Sequence, residues 1–259
     1  MAAPLHSLSG QFPHLVLEGI AYFVAARVYW AVAAAQPRPP RALDRWLLAA
    51  CAIAGAAVGS KGLHVLEHWP TLWRQGRAAD WLGGKSVLGG LVGGTLAVEA
   101  GKWSIGWRRS TGDAWVPAIA VGLMIGRMGC QLSGLWDQTY GTPTTLPWGW
   151  NYGDGVPRHP AALYEIVLVG LAWLGVSRWR DALPGVRFAA FLAAYCAIRF
   201  ALEFLKPPFG PVTGAELAAT LPAARYDGLT AIQWTALAGL GGYLALLRHR
   251  LRPPMPALP

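Results

Sequence analysis

Residues 158–178 read RHPAALYEIVLVGLAWLGVSR. From Pro160 to Ser177 the run is apolar with one charge, Glu165, and basic residues bracket it at Arg158 and Arg178. At about 1.5 Å of rise per helical residue such a run crosses most of a roughly 30 Å hydrocarbon core. Proline is tolerated in the first turn of a helix, where its missing N–H has no partner to lose. A carboxylate inside a lipid-crossing helix is costly and turns toward the bundle interior or a wet cavity. This one segment therefore predicts a membrane-spanning helix with a functional inner face.

Working outward, the same reading finds six more spans, giving seven at about 14–35, 46–68, 86–103, 114–134, 160–178, 187–205 and 230–248. The expected fold is an all-α polytopic membrane protein, one transmembrane domain over 1–259 with a loose proline-rich tail at 253–259. Composition agrees: 54% of the 259 residues are hydrophobic and 14% charged, too apolar for a soluble domain of this length. The segment from His14 to Ala35 lacks a basic leader and carries Glu18 and Arg27, so it reads as a span rather than a cleaved signal peptide. Trp30, Trp46, Trp69, Trp103, Trp115, Trp179 and Trp234 stand beside the ends of apolar runs, where an aromatic belt lies. In the third span Gly89, Gly90, Gly93 and Gly94 suit close helix approach, with Gly90 and Gly94 as a GxxxG match.

The formal charge of +9 is spread through short loops and forms no stripe, which excludes a nucleic-acid partner. With the N-terminus outside, the cytoplasmic loops hold Arg38, Arg41, Arg45, Lys102, Arg108, Arg109, Arg178, Arg180, Arg187, Arg248, Arg250 and Arg252. The external ones hold only Arg74, Arg77, Lys85, Arg158, Lys206 and Arg225. Twelve against six predicts N-outside and C-inside, with external segments at about 69–85, 135–159 and 206–229. Asp113 or Ser110 is expected to cap the fourth helix. Cys51, Cys130 and Cys196 show no disulfide or metal-type spacing and read as small buried hydrophobes.

Charges within the spans carry the chemistry: Glu18, Arg27, Lys61, Glu67, Glu99, Arg127, Glu165, Arg199 and Glu203. Tyr195, Arg199 and Glu203 recur at four-residue spacing and share one helix face. They form either an internal ion pair or a polar cavity for an anionic headgroup, for which the planar guanidinium is suited. Glycines flank the charge in Gly126-Arg127-Met128-Gly129 and let a headgroup or helix approach the backbone. The connection at 135–159 holds Tyr140-Gly141-Thr142-Pro143 and Pro147-Trp148-Gly149-Trp150, a functional loop by its length and aromatic content.

Taken together, Gly126-Arg127-Met128-Gly129, Tyr140-Gly141, Arg158-His159-Pro160 through Leu163-Tyr164-Glu165, and Tyr195 through Arg199 to Glu203 resemble the prolipoprotein diacylglyceryl transferase family. Glu18 to Phe23 and Gln233 extend the likeness to the first and last spans. The resemblance implies seven spans around a central lipid-accessible cavity in the bacterial cytoplasmic (inner) membrane. It implies transfer of a diacylglyceryl group from phosphatidylglycerol to the lipobox cysteine of a prolipoprotein, with release of glycerol phosphate. The implied partners are phosphatidylglycerol, the prolipoprotein signal-peptide region and membrane lipids, with no metal or soluble cofactor. It assigns Arg127 and Arg199 to phosphate binding or leaving-group stabilisation, Tyr195 and Glu203 to organising Arg199, His159 and Glu165 to the external mouth, and Arg158 and Tyr164 to substrate binding. Leu88 stands where the typical member has a histidine before Gly-Gly, and Cys130, Ser133 and Leu135 stand where it has Asn, Asn and Glu. A phosphatidylglycerol-using transferase with another acceptor, or a non-catalytic lipid-binding protein, remains open at this point.

Overall fold

The computed structural model describes residues 10–36, 40–75, 81, 84–179, 181–207 and 223–251. The expected tail at 253–259, the loop arginines Arg38, Arg77, Arg180 and Arg252, and most of the segment at 206–229 lie outside the described residues. Within them stand seven α-helices: α1 (Gln11–Ala34), α2 (Ala42–Gln75), α3 (Val87–Ser104), α4 (Trp115–Ser133), α5 (Ala161–Ser177), α6 (Val186–Glu203) and α7 (Ala231–Leu251). Three are long and apolar enough to cross a membrane, in Gln11–Ala34, Ala42–Arg74 and Gly112–Trp136, and Ala161–Ser177 is a shorter apolar helix. The protein is an all-α membrane protein. Two short hairpins interrupt the helices: β1 (Trp150–Asn151) with β2 (Pro157–Arg158), and β3 (Arg225–Tyr226) with β4 (Leu229–Thr230), both antiparallel.

Helix α2 packs along α3, α1 along α4, and α4 to α7 pack in sequence order, α5 on α4, α6 on α5 and α7 on α6. The core lies among α3 to α7, around Phe191, Leu192, Tyr195, Val169 and Ala236. Helix α1 turns the ordinary pattern inside out: Ala21 and Ala33 are buried while Phe12, Ile20 and Phe23 are exposed. That is the arrangement of a helix bathed in lipid, where small residues make the helix contact and large apolar ones face hydrocarbon. Trp46 and Trp103 are exposed near helix ends, as a belt requires. Trp115 instead stacks on Tyr29 at 3.9 Å between ring centroids, a packing role.

Glycines hold α2 and α3 together. A Cβ on Gly55 or Gly59 would run into the backbone of Gly93 or Gly89, and the reverse holds for Gly89 and Gly93. The interlocking pairs are thus Gly55/Gly59 against Gly89/Gly93, one register from the expected Gly90/Gly94, where a Cβ would first meet atoms at 3.5 and 3.2 Å.

Helix α2 continues past its expected end near 68 and contains Pro70. Proline cannot donate to the carbonyl four residues back, so Leu66 loses its helical partner. The hydroxyl of Tyr226 donates to that carbonyl at 2.7 Å, and the Ala224 N–H donates to the Glu67 carbonyl at 2.7 Å. Residues at the β3–β4 hairpin thereby satisfy the carbonyl that Pro70 leaves without a helical partner and the one beside it. The expected cap on the fourth helix is corrected: α4 has no side-chain cap. The Asp113 carboxylate accepts instead from the N–H groups of Gly185 and Phe188 at 2.7 and 2.9 Å, capping α6.

Candidate active site

The C-terminal end of α4, the N-terminal end of α5 and the C-terminal end of α6 meet at one end of the bundle and bring their charges together. Arg127 stands on α4 between Gly126, which has open space around it, and Gly129, which packs against His14 and Leu17 of α1. Arg127 Nε lies 2.9 Å from Glu165 Oε2, a charge contact whose N–H is not aimed along it. Arg199 Nη1 reaches the same oxygen at 3.1 Å, and its Nη2 reaches Glu203 Oε2 at 3.0 Å. The Tyr195 hydroxyl donates to Glu165 Oε1 at 2.9 Å. Lys206 Nζ stands 4.0 Å from Glu203.

Tyr195, Arg199 and Glu203 come to one face by helical spacing, as the sequence indicates, and α6 aims that face at Glu165. Glu165, expected beside His159 at the mouth, is instead the hub of the cluster and is 1% exposed. Arg127 and Arg199 are both buried, at 8% and 3% exposed. Buried charges at contact distance interact several-fold more strongly than in water, which fixes these side chains relative to one another. Two guanidiniums and the Lys206 ammonium stand with the carboxylates of Glu165 and Glu203, and the buried Glu67 lies within electrostatic reach of Arg199, Glu203 and Lys206.

Arg158, His159 and Tyr164 form a second group. Arg158 makes a two-point pair with Asp154 at 2.7 and 2.8 Å and lies over the Tyr140 ring, 5.1 Å from its centroid. His159 Nδ1 is 3.3 Å from the Tyr164 hydroxyl, which also accepts from Trp148 Nε1 at 2.8 Å. The backbone ties this group to the first: the Gly141 N–H donates to the His159 carbonyl at 2.7 Å, and the Thr142 N–H to the Leu205 carbonyl at 2.7 Å. A Cβ on Gly141 would strike His159, so only glycine fits that crossing.

Other polar residues come together near this end in pairings that local sequence does not indicate. His14 Nδ1 pairs with Asp137 Oδ1 at 2.9 Å, and Cys130 Sγ lies 3.9 Å from the same nitrogen and 3.7 Å from Arg127 Nη1. The surroundings of Cys130 are therefore polar, a correction to its reading as a plain buried hydrophobe. Lys85 pairs with Glu18 at 2.6 Å, joining the entry to α3 with α1. His68 is fully buried with both ring nitrogens unpartnered, one turn from the ring of His64 at 4.9 Å. Leu88 packs in the hydrophobic core near Leu63 and is 2% exposed.

Fold and site together define a helical membrane protein that holds an arginine pair on a buried carboxylate. The family model described as prolipoprotein diacylglyceryl transferase matches residues 15–247, and the chain belongs to that family. A protein of Nitrosomonas europaea named phosphatidylglycerol–prolipoprotein diacylglyceryl transferase is 32% identical over 205 residues, 75% of this chain and 69% of that one. Relatives of the same name from Geobacter sulfurreducens and Bordetella parapertussis are 42% and 36% identical. Those matches span 50% and 67% of this chain, and 51% and 64% of theirs. Several relatives are thus matched over only about half to two thirds of their own length.

Proposed function

We propose that this protein transfers the diacylglyceryl group of phosphatidylglycerol to the lipobox cysteine thiol of a prolipoprotein and releases glycerol phosphate. It does so as a multi-pass protein of the bacterial inner membrane, with seven spans around a lipid-accessible cavity, the N-terminus outside and the C-terminus cytoplasmic. The observation that carries this reading is the Arg127–Glu165–Arg199 cluster, one carboxylate shared by two guanidiniums on three helices. With α1 entering from outside, His14, Arg127, His159, Arg199 and Glu203 all fall at the external ends of their helices, where a secreted precursor presents its cysteine.

In the reaction the sulfur attacks the glyceryl carbon, the carbon–oxygen bond to phosphate breaks, and the electron pair leaves on the phosphate oxygen. Charge grows on the leaving group, and Arg127 and Arg199 stabilise it by donors already in place. Glu165, Tyr195 and Glu203 are positioning residues that hold those donors. His159, Tyr164 and Arg158 line the approach, where the headgroup of phosphatidylglycerol and the signal-peptide region of the precursor enter.

The test is glycerol phosphate release from phosphatidylglycerol by purified protein in detergent, with and without a lipobox peptide. Peptide-dependent release is expected, falling by about 10²-fold or more in Arg127→Ala, the scale of losing one transition-state donor. Release that ignores the peptide, or binding of phosphatidylglycerol with no release, would overturn the reading.

A further inference from the structure

We propose that His14, Cys130 and Asp137 form a site for a thiophilic divalent cation of the zinc type, and that its open position takes the acceptor thiol. The metal site stands on its own geometry, and the acceptor role rests on the transfer reaction proposed above. The ligand atoms of these three residues all lie within 4.8 Å of one another. Tetrahedral zinc with bonds of about 2.0–2.3 Å sets its ligands about 3.3–3.8 Å apart. The 3.9 Å from Cys130 Sγ to His14 Nδ1 is close to that spacing, and the 2.9 Å from His14 Nδ1 to Asp137 Oδ1 has only to open slightly.

The outer oxygen of Asp137 and the outer nitrogen of His14 face other partners, so their inner atoms face one another. Thr139 Oγ1 donates to Asp137 Oδ2 at 2.6 Å, so Oδ1 is the oxygen turned inward. Glu18 Oε2 lies 3.7 Å from His14 Nε2, while Lys85 holds the other oxygen, Oε1, so Nδ1 is the nitrogen turned toward Asp137. A carboxylate behind a ligating histidine and a hydrogen bond on a ligating carboxylate are the outer partners that orient metal ligands. Cys130 and Asp137 are 7% and 6% exposed and the His14 side chain 22%, so His14 is the most accessible of the three. One sulfur, one nitrogen and one oxygen suit zinc rather than calcium or magnesium, which prefer all-oxygen sites.

Charge agrees with this reading: a thiolate and a carboxylate together neutralise a divalent cation. A second thiol at the fourth position gives its proton to solvent and is held as a thiolate next to the guanidinium that receives the phosphate. Its sulfur then forms the bond to the glyceryl carbon while the carbon–oxygen bond breaks. The leaving phosphate oxygen carries away the electron pair, so atoms and charge balance without a redox partner.

The test begins with metal content and cobalt(II) substitution of the purified full chain. The expected result is one zinc per chain and, in the cobalt form, a sulfur-to-metal charge-transfer band that changes on adding a lipobox peptide but not its serine analogue. Cys130→Ser and Asp137→Asn should weaken zinc binding by 10²-fold or more, Cys130→His should restore much of it, and Arg199→Ala should leave it unchanged. Thermal melts and phosphatidylglycerol binding separate a lost site from a misfolded variant. Equal, substoichiometric metal in the parent and in a folded Cys130→Ser variant would overturn the site. A cobalt band indifferent to the peptide would overturn the acceptor role. Metal bound and perturbed by peptide without any glycerol phosphate release would uphold the site and sink the transfer reaction instead.

Discussion

At the scale of single residues, Glu165 faces three donors with two oxygens. Tyr195 takes Oε1, and Arg127 and Arg199 share Oε2. Replacing it with glutamine keeps the volume but leaves two buried guanidiniums short of their common counter-charge. Breaking a buried pair in this way costs about 3–5 kcal/mol. Glu165→Gln is expected to lower the unfolding midpoint in an SDS titration by a corresponding amount, whereas Glu99→Gln, whose carboxylate is largely exposed, should not move it. A midpoint for Glu165→Gln equal to the parent would show that the arginines do not depend on this carboxylate. Asp154 offers a pH test outside the helices. The hydrogen bond from Arg158 holds its carboxyl down at about 2, against burial that pushes slightly the other way. A carboxyl lowered in the folded state contributes stability above its unfolded value near 3.8 and loses it as pH falls toward 2. Hydrogen exchange in residues 150–158, corrected for intrinsic rates, is therefore expected to be flat from pH 8 to 5 and to speed up below about pH 4. Asp154→Asn should abolish that dependence.

At the scale of elements, the α2–α3 contact depends on hydrogen atoms where other residues have methyl groups. A Cβ at Gly59 would collide with the Gly89 carbonyl, a backbone atom that cannot swing aside, while at Gly62 it meets nothing within 4 Å. Gly59→Ala is thus expected to destabilise by about 1–3 kcal/mol, as overpacking does. Gly62→Ala should be neutral or stabilise by up to about 1 kcal/mol through helix propensity. The same SDS titration distinguishes them, and equal midpoints would mean that the two helices separate at little cost. Helix positions were legible from hydrophobic runs because lipid imposes length and apolarity on each span. The two hairpins were not: β1 to β4 are each two residues long, too short for alternation to register, and are held by contacts with distant segments. Asp113 shows the same limit. Its local sequence suits a cap on the helix that follows, and only the approach of α6 makes the N–H groups of another helix its donors.

At the scale of the molecule, the proposed orientation makes a compact prediction. Alkaline phosphatase fused after Gly155 should be active and a fluorescent protein fused after Leu251 should fold and fluoresce, as an external hairpin and a cytoplasmic terminus require. The opposite pair of results would reverse the topology and place the arginine cluster at the cytoplasmic face. The chain by itself determined the all-α membrane class and the approximate seven helices, and it pointed to Arg127, Glu165, Arg199 and Glu203 because charge in an apolar run is conspicuous wherever it falls, with Tyr195 added by its spacing. Tertiary structure alone decided which carboxylate serves both arginines, that Arg158 turns to Asp154, and that Gly89 and Gly93 rather than Gly90 and Gly94 interlock. It alone brought His14 to Cys130 across 116 positions. Periodicity along a helix reports which residues share a face, and only the packing of one helix on another determines what that face meets.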